Sequence, residues 1–213
     1  MVKNKIIPRL ATYVVGLFVL SLGVAFSVNA DLGVSPVSTL PYVLSNITIF
    51  TLGQLTTAMM AAFILLQIVI LRREFKWFNL TQIVFSFIFG YFVDFSRWIL
   101  GDLVFPTYFG RLGMLAIAIV LIAAGIVLFI GAKIVPLPTE GFCLAVAQKR
   151  PGAKFHVVKM VMDCTLVLIG LGVVLIFADE LFGIREGTII SAVAIGKIIP
   201  YVRRVFVPIL DRL

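Results

Sequence analysis

The chain has 213 residues, of which 62% are hydrophobic and 13% charged, with a mean hydropathy of +1.16. A soluble domain carries about 25% charged residues, so this composition excludes an ordinary water-soluble fold and implies a polytopic membrane protein. The net charge of +8 does not call for nucleic acid, because the basic residues sit in short loops between apolar runs, as in loops beside anionic lipid.

A membrane-spanning helix needs about 20 mostly apolar residues. Six runs qualify, at roughly 10–30, 52–71, 79–100, 112–132, 156–178 and 187–207; the last contains Lys197 and Pro200. The first follows Lys3, Lys5 and Arg9 and ends near Val28-Asn29-Ala30, which resembles a signal-peptide cleavage site. It is too long for a signal-peptide core, so a retained transmembrane helix is expected.

Lys and Arg set the orientation. Clusters at Lys3/Lys5/Arg9, Arg72/Arg73/Lys76, Lys149/Arg150/Lys154 and Arg203/Arg204/Arg212 fall on one side if six spans are threaded in order. The other side holds only Arg97, Arg111 and Arg185. Both termini of this multi-pass protein are then expected in the cytoplasm.

Two apolar loops break this pattern. Asn29–Leu40 and Gly131–Phe142 each follow a long apolar run, interrupt it with Gly or Pro, and lead into a short helix expected at about 36–47 and 138–149. Pro36 and Pro138 suit a first helical turn, where no amide donor is required. Ser35 can cap the first short helix; Leu137, at the matching place, cannot cap the second. A shift of 102 residues aligns 23–44 with 125–146 without gaps, matching Gly23 to Gly125, Ala30 to Ala132 and Pro36 to Pro138. Each half reads long helix, break, short helix, long helix, long helix. Three spans per half is an odd number, so the halves lie inverted in the bilayer. The expected fold is an all-α membrane protein of about six transmembrane helices in two inverted three-helix repeats, 1–105 and 106–213. Each repeat carries a short broken or re-entrant helix after its first span.

Ala30-Asp-Leu-Gly-Val-Ser-Pro-Val-Ser-Thr-Leu-Pro-Tyr-Val-Leu-Ser45 resembles the YczE/YyaS/YitT family of bacterial integral membrane proteins. So do Leu52-Gly-Gln54, Phe89-Gly-Tyr-Phe-Val-Asp94, Pro138-Thr-Glu-Gly141, Lys154-Phe155 with Lys159 and Asp163, and Gly187-Thr-Ile-Ile190 with Gly196. The resemblance covers nearly the whole chain. It implies a bacterial plasma-membrane protein of about six spans, for which transport is the usual assumption. Lys133 stands where the first half has Asp31.

The breaks supply the candidate solute-binding residues: Asp31, Ser35, Pro36, Ser38 and Thr39 in the first, and Pro138, Thr139, Glu140 and Gly141 in the second. Backbone freed by a break must face protein or a water-filled cavity, and helix N-termini attract anions. The alternative is that both short helices lie flat in the interface, with Asp31 and Lys133 simply solvated. Lys159 and Asp163, spaced i, i+4, share one face of the fifth span. Charges inside a membrane are costly and mark function by default, although Lys159 can also snorkel to headgroups. Asp94, Asp163, Lys159 and Lys197 are the coupling candidates, with Asp94–Lys197 or Asp163–Lys197 as pairs that make and break, or that hold the bundle together. Gln54, Gln67, Gln82 and Thr188 fit interhelical hydrogen bonds.

No HExxH, G-x-S-x-G, P-loop or dinucleotide fingerprint occurs, so no enzyme activity, cofactor or metal is expected. Cys143 and Cys164 lie in apolar surroundings without metal-ligand spacing, and no disulfide is expected. The reading is a small transporter or facilitator for a small polar solute, with an anion favoured, working by alternating access between inverted repeats. The alternatives are a membrane accessory or sensor protein and a solute-capture subunit of a larger transporter. The partners are the lipid bilayer and an unidentified solute; a homodimer fits the chain's size.

Overall fold

The computed structural model describes residues 6–178 and 182–210. Lys3, Lys5 and Arg212 of the basic clusters lie outside them. The described residues form eight α-helices: α1 (Ile6–Asn29), α2 (Pro36–Ile47), α3 (Leu52–Leu71), α4 (Thr81–Leu100), α5 (Tyr108–Gly131), α6 (Pro138–Lys149), α7 (Phe155–Phe177) and α8 (Glu186–Leu210). Two 3-10 turns, Arg72–Glu74 and Trp77–Leu80, join α3 to α4. Among the described residues five helices are long and apolar enough to cross a membrane: α1, α3, α4, α5 and α7. The 25-residue α8 is more polar and holds Pro200 and Pro208 in its interior.

Both short helices begin on the expected prolines. α1 and α5 end at 29 and 131, while α2 and α6 are each 12 residues long and start at 36 and 138. Both offsets equal 102. The ends of α1 and α5 are also wired alike. Ala30 N–H donates to Phe26 O at 3.0 Å and Asp31 N–H to Val28 O at 3.2 Å; Ala132 N–H donates to Leu128 O and Lys133 N–H to Ile130 O, each at 3.1 Å. Asp31 and Lys133 both take the left-handed conformation, with φ of 51° and 54°. A left-handed residue just past a helix lets the following amides satisfy the last carbonyls. Here an aspartate and a lysine hold the place usually given to glycine, which costs about 1–2 kcal/mol for an L-residue.

The helices group into two compact units, and the chain passes from one to the other at each break, after Ser35 and after Ile134. The first unit holds α1, α4 from Phe92 onward, α5 and α8; the second holds α2, α3, α4 as far as Tyr91, α6 and α7. Both sequence halves therefore contribute to both units.

In the first unit α1 lies against α5. A methyl on Gly23 would fall 2.7 Å from Ile122 N, and one on Gly125 would fall 2.6 Å from Leu20 N. These two glycines, matched by the 102-residue shift, let the helix backbones touch, as small residues do in membrane interfaces. Tyr13 meets Phe129 edge-on at 5.9 Å, and Ser21 and Ser96 share a buried hydrogen bond of 2.8 Å.

In the second unit α2 packs on α3 and α7, and α6 packs on α3 and α7. Phe63, Cys143, Met162 and Leu166 form one buried cluster, and Ile64, Leu71, Phe75 and Ala145 another. α3 starts on a capping box, in which Gln54 N–H donates to Thr51 Oγ1 and Thr51 N–H donates to Gln54 Oε1, each at 3.1 Å. Gln54 is thus a capping residue; no interhelical bond is needed to explain it. Gln148 donates to Glu74 at 3.0 Å and Lys149 pairs with the same carboxylate, tying the end of α6 to the turn after α3. Large apolar side chains such as Leu65, Val69, Leu168 and Ile176 face outward, while Gln67, Gln82, Ser21, Ser96 and Thr139 are buried, as expected where the solvent is lipid.

Candidate functional site

At the first break, the freed backbone is taken up inside the first unit. Gly187 N–H donates to Leu32 O at 2.7 Å and Val34 N–H to Gly183 O at 3.0 Å. A methyl on Gly187 would sit 2.5 Å from Leu32 O, so only glycine allows this contact. The left-handed turn projects the Asp31 side chain to two arginines. Arg111 Nη1 donates to Asp31 Oδ2 at 2.6 Å, and Arg185 Nη1 donates to Asp31 O at 3.0 Å. Asp31 is therefore charge-balanced by protein. Its counterpart Lys133 is exposed and in no ion pair among the described residues.

The second break opens onto a polar node inside the second unit. Gln67 of α3 is 1% exposed, and its Nε2 donates to Gln82 Oε1 at 3.1 Å and to Pro138 O at 3.0 Å. Pro138 begins α6, so the glutamine pair meets the break itself. Gly141, one turn on, makes room: a methyl there would lie 2.6 Å from Gln67 Oε1. Nε2 of Gln82, itself 1% exposed, has no hydrogen-bond partner among the described residues. Such an orphaned donor is rare enough in native structures to demand a reason.

Charge lies beside this node. Thr139 Oγ1 donates to Glu140 Oε2 at 2.8 Å. Lys159 Nζ donates to Asp163 Oδ1 at 2.8 Å and to Oδ2 at 3.2 Å, and Glu140 is within electrostatic reach of the same lysine. Cys143 is buried one turn beyond Thr139, its thiol 3.7 Å from Met162 sulfur. The consecutive helices α6 and α7 thus bring the Thr139–Glu140 pair near the Lys159–Asp163 pair.

The expected residues divide between the units. Asp31 and Ser35 belong to the first, with Asp94 and Lys197; Pro36, Ser38, Thr39, Pro138, Thr139, Glu140, Gly141, Lys159 and Asp163 belong to the second. Asp163 takes Lys159 on its own helix as its ion-pair partner. Lys197 is exposed on α8 and in no ion pair among the described residues, and Asp94 is half-buried. Thr39 and Thr139, at neighbouring places in the two copies, are both buried. Both cysteines are free.

Eight α-helices, five of them fit to cross a bilayer, with polar groups turned inward, define a multi-pass membrane protein. The chain belongs to a family of unknown function, DUF6198, whose model matches residues 7–204. It is 25% identical over 202 residues to the uncharacterized membrane protein YczE of Bacillus subtilis (strain 168), covering 93% of this chain and 87% of that one. This bears out the resemblance drawn from the Ala30–Ser45 run and the motifs after it. No solved structure matches.

Proposed function

We propose that the chain is a small secondary transporter or facilitator of a bacterial plasma membrane, with both termini cytoplasmic. It would be built from two inverted repeats, 1–105 and 106–213, with α8 as a sixth span. The observation that carries the reading is the repeated break. Two helix ends 102 residues apart share a left-handed residue, one hydrogen-bond pattern and a proline-started 12-residue helix. Duplicated interruptions of this kind are the best sequence pointer to a solute site in inverted-repeat transporters.

The solute would engage the second unit around Thr139, Glu140, Gln67 and Gln82, where the orphaned Gln82 amide offers an unused donor. Two carboxylates against one ammonium leave that region with an excess negative charge. Glu140 also sits in the first turn of α6, where it already answers the positive end of the helix. A solute bearing a cationic group suits this balance better than a simple anion. The Lys159–Asp163 pair is the coupling element: a proton or cation binding at Asp163 would release Lys159, and alternating access between the repeats would follow.

The test is a thermal-shift screen of polar solutes on purified protein, then uptake into proteoliposomes of those that stabilise it. Glu140→Gln with Asp163→Asn should abolish uptake; uptake equal to wild type in that double variant would sink the assignment. The sealing of Asp31 by Arg111 and Arg185 favours a second reading, a non-transporting accessory protein. On that reading no solute in the screen shifts the melting temperature.

A further inference from the structure

We propose that the second unit carries a binding cleft for one anionic phospholipid, apart from the polar node above. A cleft of about 1040 Å³ runs beside α3, α6 and α7. Its walls are apolar side chains, among them Met59, Phe63, Leu66, Val161, Leu166 and Ile169, and none of its lining residues is acidic. One end differs. The turn between α6 and α7 lines it with Arg150 and Lys154, and His156 follows in the first turn of α7. All three are exposed, and neither Arg150 nor Lys154 is in an ion pair among the described residues. The neighbouring Lys149 is engaged by Glu74.

α7 adds a second attraction at the same end. Its N-cap residue, Lys154, makes no side-chain cap, and its first turn holds no acidic residue. The amides of Val157 and Val158 donate to Lys154 O, which leaves those of Phe155 and His156 to face an anion at the positive end of a 23-residue helix. A phosphodiester fits there, between the open turn and two cationic side chains.

The rest of the cleft specifies a lipid. From His156 to Ile169 is 13 residues along α7, roughly 20 Å at 1.5 Å per residue. One leaflet of a bilayer core about 30 Å thick is about 15 Å deep, so an acyl chain anchored at the basic turn runs the length of the apolar walls. A free phosphate would leave those walls unused, and a zwitterionic lipid would leave the two cations unbalanced. Basic pockets between transmembrane helices are the established setting for anionic headgroups.

Native mass spectrometry of the purified full chain tests this with three probes: dioleoyl phosphatidylglycerol, dioleoyl phosphatidylcholine and soluble glycerol 3-phosphate. Phosphatidylglycerol should bind at one site about 30-fold more tightly than phosphatidylcholine, the increment expected for two basic groups, and glycerol 3-phosphate should not compete. Arg150→Gln with Lys154→Gln should erase the preference, Ala62→Trp in the cleft wall should weaken both lipids, and Arg73→Gln outside the cleft should change neither. Equal binding of the two lipids would overturn the proposal, as would competition by glycerol 3-phosphate. So would an unchanged preference in the double variant or an Arg73→Gln loss as large as the double variant's. Wild-type lipid affinity in Ala62→Trp would overturn the acyl-chain placement.

Discussion

Gly141→Ala tests the second break at its tightest point. The added methyl would lie 2.6 Å from Gln67 Oε1 and 3.0 Å from both Cδ and Nε2. Gln67 must then withdraw by several tenths of an ångström. It is 1% exposed and tethered at 3.1 Å to Gln82 and 3.0 Å to Pro138 O. Overpacking costs about 1–3 kcal/mol, and the two hydrogen bonds are worth about 0.6 kcal/mol each in a membrane protein. Against this, replacing a helical glycine by alanine returns about 1 kcal/mol. The net expectation is a destabilisation of about 2 kcal/mol, roughly 4–8 °C for a chain of this size. Trp77 and Trp98 provide the fluorescence signal for thermal unfolding in detergent. Gln67→Ala removes the obstacle, so the Gly141→Ala/Gln67→Ala double variant should be less destabilised than the sum of the singles by about 1 kcal/mol or more. If Gly141→Ala stabilises the protein and the two changes add, Gln67 does not hold the start of α6.

The first break yields further expectations. Gly187→Ala forces a methyl to 2.5 Å from Leu32 O and should destabilise by about 1–3 kcal/mol, read as a lower melting temperature. Lys133→Gly relieves a left-handed residue with no ion-pair partner and should stabilise by about 1 kcal/mol. Asp31→Gly relieves the same strain but gives up a half-exposed ion pair worth up to about 1 kcal/mol, and should leave the melting temperature nearly unchanged. Asp163→Asn keeps the shape of the side chain but leaves Lys159 with a weaker partner, and should abolish transport of any solute identified while the protein still melts cooperatively.

The long apolar runs and both prolines were legible because they are local signals. Lipid demands unbroken apolar helices, and proline fixes a helix start through its own ring and missing donor. α5 nevertheless begins at Tyr108, about four residues before its apolar run. The start of α5 is set by Thr107, whose hydroxyl accepts from Gly110 N–H at 3.2 Å, and that cap carries no hydropathy. Asp31 was legible as a break residue. Its arginines were not, because Arg111 and Arg185 come from 80 and 154 positions away. The meeting of Gln67 and Gln82 with Pro138 was hidden for the same reason: it depends on α3 and α6 lying together. The Thr51-x-x-Gln54 box was available as a motif, although Gln54 was read as a polar residue within a span.

The functional reading rests on the two breaks being inverted across the bilayer. Single cysteines at Ile49, in the turn after the first short helix, and at Gly152, in the turn after the second, report this directly. They are placed in a background lacking Cys143 and Cys164 and challenged in intact cells with a membrane-impermeant maleimide. Labelling at 49 with protection at 152 until the cells are opened is the predicted result; labelling of both from the same side would contradict the inverted repeat and the transport mechanism built on it.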